Sequence, residues 1–143
     1  MENKRYDPKF DKMYWITAIP TNLIVMALVI LAAFDAPTPV LIAVAVVTFV
    51  FVNYFLLSPW FGYVELRENE IFIKYGILLK RSIPYSDIRA VEVGRGVLAD
   101  SIVSLKNALD HVNIKYNAFD VTTVSIKNRE SFVRELELRR AAK

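Results

Sequence analysis

The sequence contains no cysteine and one histidine, His111. The first absence excludes a disulfide framework, a thiol nucleophile and a cysteine-based metal site. The second excludes a histidine-rich metal site. Nucleotide-binding and nucleophile motifs are missing as well. Gly94-x-Gly96 lacks a third glycine and a following helix, so it reads as a turn and not as a phosphate cradle. Serine, aspartate and histidine occur without the spacing of a nucleophile elbow. Acidic residues are scattered among basic ones with no metal-binding spacing. Asp110 and His111 are neighbours on an expected strand, where adjacent side chains point to opposite faces and do not cooperate. His111 is therefore expected at the surface or at a strand end. No catalytic residue, metal site or cofactor is expected. A formal net charge of +3, with its basic residues dispersed, gives no case for nucleic acid as a partner.

The most telling deficit is local. Between Met13 and Val64 the one charged residue is Asp35. A lipid bilayer requires such a run, because an unpaired charge or backbone amide in hydrocarbon costs several kcal/mol. Hydrophobic residues make up 55% of the 143, against a usual ~45–50%, and the excess lies in the first 64 positions. The lone charge sits in Asp35-Ala36-Pro37-Thr38-Pro39, so the run divides into two apolar segments around a polar turn. The first covers 14–34 and the second 40–60, with the outer turn at 35–39. At ~1.5 Å per residue, each segment as a helix crosses a ~30 Å hydrocarbon core. Pro20 removes one backbone donor and is expected to kink the first helix. A secretory signal peptide is the rival reading of the first segment, but the apolar stretch is long and no small-x-small pair precedes the turn cleanly.

The flanks set an orientation. Lys4, Arg5, Lys9 and Lys12 precede the first segment, and Arg67, Lys74, Lys80 and Arg81 follow the second. The connecting turn has neither lysine nor arginine. The positive-inside rule places both termini in the cytoplasm and Asp35 outside. Tyr14, Trp15, Trp60, Phe61 and Tyr63 would form an aromatic belt at the cytoplasmic interface. Asn22 and Asn53 are the deepest polar residues, at comparable depth. Two readings stand: an interhelical polar contact worth roughly 0.6 kcal/mol, or part of a ligand or ion path.

From Gly62 the pattern changes to strands. Residues 63–67 and 71–75 flank a tight polar turn, the signal of a hairpin. Gly76 begins the next turn, 78–83 reads as a third strand and Pro84 ends it. Residues 85–87 form a corner, and 88–93 alternate as a fourth strand. A weak strand is expected near Ile102 to Leu105, and two more at 112–116 and 121–126. The last element is a helix with Asn128 at its N-cap, Glu130 in the first turn, an apolar stripe of Phe132, Val133 and Leu136, and Arg139, Arg140 and Lys143 toward its end.

Four stretches then carry a resemblance: 63–76, 82–88 (Ser-Ile-Pro-Tyr-Ser-Asp-Ile), 109–116 (Leu-Asp-His-Val-Asn-Ile-Lys-Tyr) and 124–132. Together, over about Gly62 to Arg140, the chain resembles the bacterial PH-like domain family, and within it the YyaB-like small membrane proteins, with a more distant similarity to the sublancin immunity protein SunI. The resemblance implies an α+β, mainly β fold: a two-helix transmembrane hairpin, then a PH-like antiparallel barrel of about seven strands capped by the C-terminal helix. The domains would be a cytoplasmic N-terminal segment at 1–13, the hairpin at 14–60 and the PH-like domain at 61–143. Lipid-binding PH domains carry a basic cluster at the turn between their first two strands. Here that turn reads as Arg67-Glu68-Asn69-Glu70, acidic on balance, which argues against phosphoinositide recognition. Lys80 and Arg81 are the nearest basic pair. They either touch anionic headgroups, at about 1 kcal/mol per charge, or form an ordinary solvated strand end.

Three functions remain open at this level. The first is a noncatalytic protein of the bacterial cell membrane that displays an interaction domain at the cytoplasmic face. Its partners would be the lipid bilayer and a membrane or cytoplasmic protein, with homo-oligomers also expected. The second is bacteriocin immunity, suggested by the likeness to the sublancin immunity protein. The third is a small membrane enzyme, for which the residues offer no convergent ionisable set.

Overall fold

A computed structural model describes residues 2–34, 38–99, 101 and 103–142. Asp35, Ala36 and Pro37 of the expected outer turn, and Ile102, lie outside the described residues.

The apolar run forms two helices, α1 (Lys12–Phe34) and α2 (Pro39–Leu57), the second extended by a 3-10 turn at Ser58–Phe61. Each stretch, counted to Phe61 for the second, is 23 residues, long and apolar enough to cross a membrane. Thr38 starts α2 by accepting the Leu41 amide at 3.2 Å, and Pro39 takes the first helical position, where its missing amide costs nothing. α1 runs through Pro20 without a break. Both helices are apolar around their whole circumference, and α2 buries none of its residues within the chain. An all-apolar core helix of a water-soluble domain would instead be mostly buried within the chain.

Among the described residues, seven strands make two antiparallel sheets. The first has the order β1 (Lys4–Tyr6), β2 (Tyr63–Leu66), β3 (Glu70–Lys74), β4 (Lys80–Pro84), and the second β5 (Ile88–Arg95), β6 (Asp110–Tyr116), β7 (Asp120–Val124). Alternation fixes the registers. Val64, Leu66, Ile71 and Ile73 are fully buried, and Glu65 and Phe72, directly paired, face outward. Helix α3 (Arg129–Ala141) lays Phe132 and Leu136 into the same core, beside Val112, Ile114 and Val124 from the second sheet. Asn128 occupies the N-cap position as expected, but in the left-handed conformation (φ 54°) and without a side-chain cap bond.

One strand comes from an unexpected place. No strand forms at 103–105: Leu105 makes a single parallel bridge to Val124, with its amide on the Thr123 carbonyl at 2.9 Å. The seventh strand is β1, from the N-terminal segment, in register with β2 through Lys4–Leu66, Arg5–Glu65 and Tyr6–Val64. Just beyond it, Lys9 N donates to the Ser125 carbonyl and Lys127 N to the Asp7 carbonyl, both at 2.9 Å. The N-terminal segment thus lies between β2 and the end of β7 and joins the two sheets. Tyr6 is buried against Phe132, ring centroids 5.2 Å apart at 78°. The two long helices are therefore an insertion between the first and second strands of the β domain.

Candidate functional site

The place where the helices enter the domain is built from both ends of the insertion. Phe10, Tyr14, Trp15 and Trp60 pack ring on ring, with centroids 4.8 Å apart for Phe10–Tyr14 and 5.0 Å for Phe10–Trp60. Tyr14 is buried. Its hydroxyl donates to the Leu56 carbonyl at 2.6 Å and accepts Trp60 Nε1–H at 2.8 Å. This pair of bonds ties the start of α1 to the end of α2. Beside it runs an apolar groove of about 260 Å³ that includes Ala18, Asn22 and Leu56. Of the five aromatic residues expected as a belt, Tyr14, Trp15 and Trp60 form a cross-linked collar with Phe10, which carried no such expectation, whereas Phe61 is exposed and Tyr63 lies beside Phe72 on the first sheet.

Asp11 connects the collar to the domain. Its carboxylate accepts the Met13 amide at 2.9 Å, capping α1, and the Leu109 amide at 2.6 Å. Asp110, next along, holds Lys9 at 3.0 Å, with Arg129 at 3.7 Å and Arg95 at 3.8 Å. The hydrogen bond from Lys9 is the main reason the Asp110 carboxyl lies below its ordinary value. Lys106 donates to the carbonyls of Gly96 (2.6 Å), Val97 (3.1 Å) and Ala108 (3.3 Å), which closes the loop after β5. Burial lowers its pKa.

His111 lies at the strand end expected of it but not at the surface. It is buried, with Nδ1 2.9 Å from the Leu109 carbonyl. Its ring covers Gly94 on the paired strand so closely that a Cβ there would sit 2.5 Å from Nε2. The ring fills the space a side chain would take, and no sequence-local signal marks that pairing.

The four residues singled out from the sequence fall as follows. Asn53 donates to the Phe49 carbonyl of its own helix at 2.9 Å, and no hydrogen bond joins it to Asn22 among the described residues. Asn22 is half-buried at the collar groove. Lys80 and Arg81 part company, because successive strand residues face opposite ways. Lys80 is exposed, opposite Lys74 on β3. Arg81 turns to the Tyr116 hydroxyl, and that hydrogen bond raises its pKa above the ordinary value.

The turn at Arg67–Glu70 is also recast. It joins β2 to β3, and the connection between the first two strands is the helical insertion itself. Arg67 is held by Glu65 at 2.8 Å and Glu70 at 3.1 Å, over the Phe72 ring at 4.1 Å. Its charge is already satisfied. At the far end of the domain Arg139 is buried. It donates to the Leu66, Arg67 and Glu2 carbonyls at 3.1, 2.9 and 2.6 Å and pairs with Glu135 at 2.9 Å. No group of three or more acidic or histidine side chains suited to a metal ion occurs among the described residues.

A family model described as Bacterial PH domain matches residues 62–140, more than half of the chain. No curated protein and no solved structure matches. The narrower likenesses to the YyaB-like group and to the sublancin immunity protein therefore rest on the sequence motifs alone. The match begins at the collar, and the strand β1 that completes the first sheet lies outside it.

Proposed function

The chain belongs to the bacterial PH domain family, and from that premise we propose that it is a noncatalytic integral membrane protein holding an interaction domain against the cytoplasmic face of the bacterial cell membrane. The observation that carries this reading is the insertion of two membrane-length helices between paired strands β1 and β2. Strands can pair only on one side of a bilayer. If α1 and α2 cross it, they cross as a hairpin and both chain ends stay with the domain. The eight basic flanking residues then share the cytoplasmic side, as their bias requires.

Several features support display over catalysis. Three polar side chains at or near the collar are engaged in structure: Tyr14 with Leu56 and Trp60, Asp11 with Leu109, Asp110 with three cations. Two covalent crossings and the collar fix the orientation of the domain. A partner confined to the same membrane then meets it at raised effective concentration without any new contact.

The test uses the full chain in cells. A tag after Ala142 should be cleaved by protease in inverted membrane vesicles and protected in right-side-out cells. A photo-crosslinking residue at Phe119, 96% exposed at the β6–β7 turn, should give one discrete protein adduct. That adduct should disappear when the segment from Gly62 onward is exchanged for an unrelated soluble domain. A tag reachable from outside, or a chain that stays dissolved without detergent, overturns the reading.

A further inference from the structure

The β3–β4 turn breaks with the surface expected of a water-exposed domain. Ile77, Leu78 and Leu79 follow one another with 45%, 74% and 60% of their surface open. Three consecutive exposed apolar residues serve no purpose in water. The turn is ordered all the same: Tyr75 N donates to the Leu79 carbonyl at 2.9 Å.

Its position is set by α2. The Ile77 amide donates to Ser58 Oγ at 3.3 Å, and Gly76 approaches Ser58 so closely that a Cβ would overlap the hydroxyl. Leu79 shares a groove of about 200 Å³ with Tyr54 and Phe55 in the last turn of α2. Phe55 belongs to the apolar span and Ser58 begins the 3-10 turn that leaves it. The tip is therefore fastened at the depth where the helix exits hydrocarbon, and it continues the surface of the span.

Charge completes the pattern. Lys74 and Lys80 stand directly opposite each other behind the tip, and neither forms an ion pair among the described residues. Like charges so placed repel. A phosphate between them removes the repulsion, and an apolar edge backed by lysines suits the interface of an anionic membrane.

We propose that the β3–β4 turn is a third membrane contact, with Leu78 and Leu79 entering the interfacial region and Lys74 and Lys80 holding the phosphate of an anionic lipid. The contact presses the first sheet toward the bilayer and sets the tilt of the domain. The inference rests on the reading that α1 and α2 span the membrane.

Because the chain has no cysteine, spin labels can be placed singly without other changes. The full chain is reconstituted in phosphatidylethanolamine–phosphatidylglycerol vesicles, and separately in phosphatidylcholine, with a nitroxide at V47C, L78C or E68C. Val47 lies within α2, and Glu68 is exposed at the opposite end of the β3 hairpin. The L78C label should collide with oxygen more often than with a water-soluble nickel chelate, at a depth shallower than V47C. The E68C label should show the reverse preference. Adding K74Q and K80Q to L78C should shift its label toward water in the anionic vesicles and leave it unmoved in phosphatidylcholine. An aqueous L78C label beside a deep V47C label overturns the contact and leaves the spanning helices standing. An aqueous V47C label overturns both. A glutamine pair that moves nothing in anionic vesicles overturns the phosphate role.

Discussion

The Asp11 carboxylate accepts the amide of Leu109 at 2.6 Å, a bond between residues 98 apart in sequence. Its other oxygen caps α1 through the Met13 amide. One side chain thus fixes where the first helix begins and ties that point to the loop before β6.

Replacing Asp11 by alanine removes the cap and leaves the Leu109 amide without its acceptor. Together these cost about 1–3 kcal/mol. The expected outcome is a lower unfolding midpoint in detergent, with faster hydrogen exchange at Leu109 and Met13 while amides of β3 keep their protection. Unchanged exchange at Leu109 would show that the bond contributes nothing.

Arg139 is 3% exposed and serves three carbonyls and Glu135 from one guanidinium. Arg139→Met leaves these acceptors and a carboxylate without their partner, a loss of about 3–5 kcal/mol by analogy with broken buried pairs. Arg139→Lys keeps the charge but not the fork, so it should recover only a minor part. Denaturant titration of the two variants beside the parent measures both.

Deleting residues 2–8 removes β1 and the bond from Lys127 N to the Asp7 carbonyl, one of the two that join the sheets. The edge of β2 is then bare, and bare edges pair with other chains. Burial of Tyr6 and the lost ladder together account for on the order of 3 kcal/mol. Size-exclusion chromatography in detergent should show larger species, and the midpoint should fall. A variant in which a short glycine-serine linker joins Asp11 to Gly62, replacing the helices, should keep the β domain folded, because it preserves the β1–β2 pairing.

Asp110 gives a pH dependence of definite sign. Its carboxyl lies below its ordinary value of 3.8 in the folded chain, chiefly because Lys9 donates to it. A depressed folded pKa contributes stability that is present above the unfolded value, near 4, and lost as pH falls through the folded one. Stability should therefore drop in the acid range below about pH 4, and Asp110→Asn should flatten that part of the profile while lowering stability at pH 7. Melting temperatures of both proteins across that range provide the check. As about a third of the side chain is open to solvent, salt should weaken the effect.

The two helices, the hairpin at 63–75, strands β4 to β7 and the C-terminal helix with its Phe132–Leu136 stripe are legible in the sequence, whereas the strand expected near 102–105 reduces to the single Leu105 bridge. In each legible element, the signal is a local period or a charge-free length, and local patterns survive without knowledge of contacts. The tertiary structure decided the rest. Lys4-Arg5-Tyr6 is too short to carry a period, and it becomes a strand only because the β2 edge supplies its partners. His111 is buried because Gly94 on another strand leaves room. Lys80 and Arg81 are neighbours in sequence, yet the pleat sends one to Lys74 and solvent and the other to Tyr116. These outcomes depend on pairings between distant segments, which no stretch of sequence contains on its own.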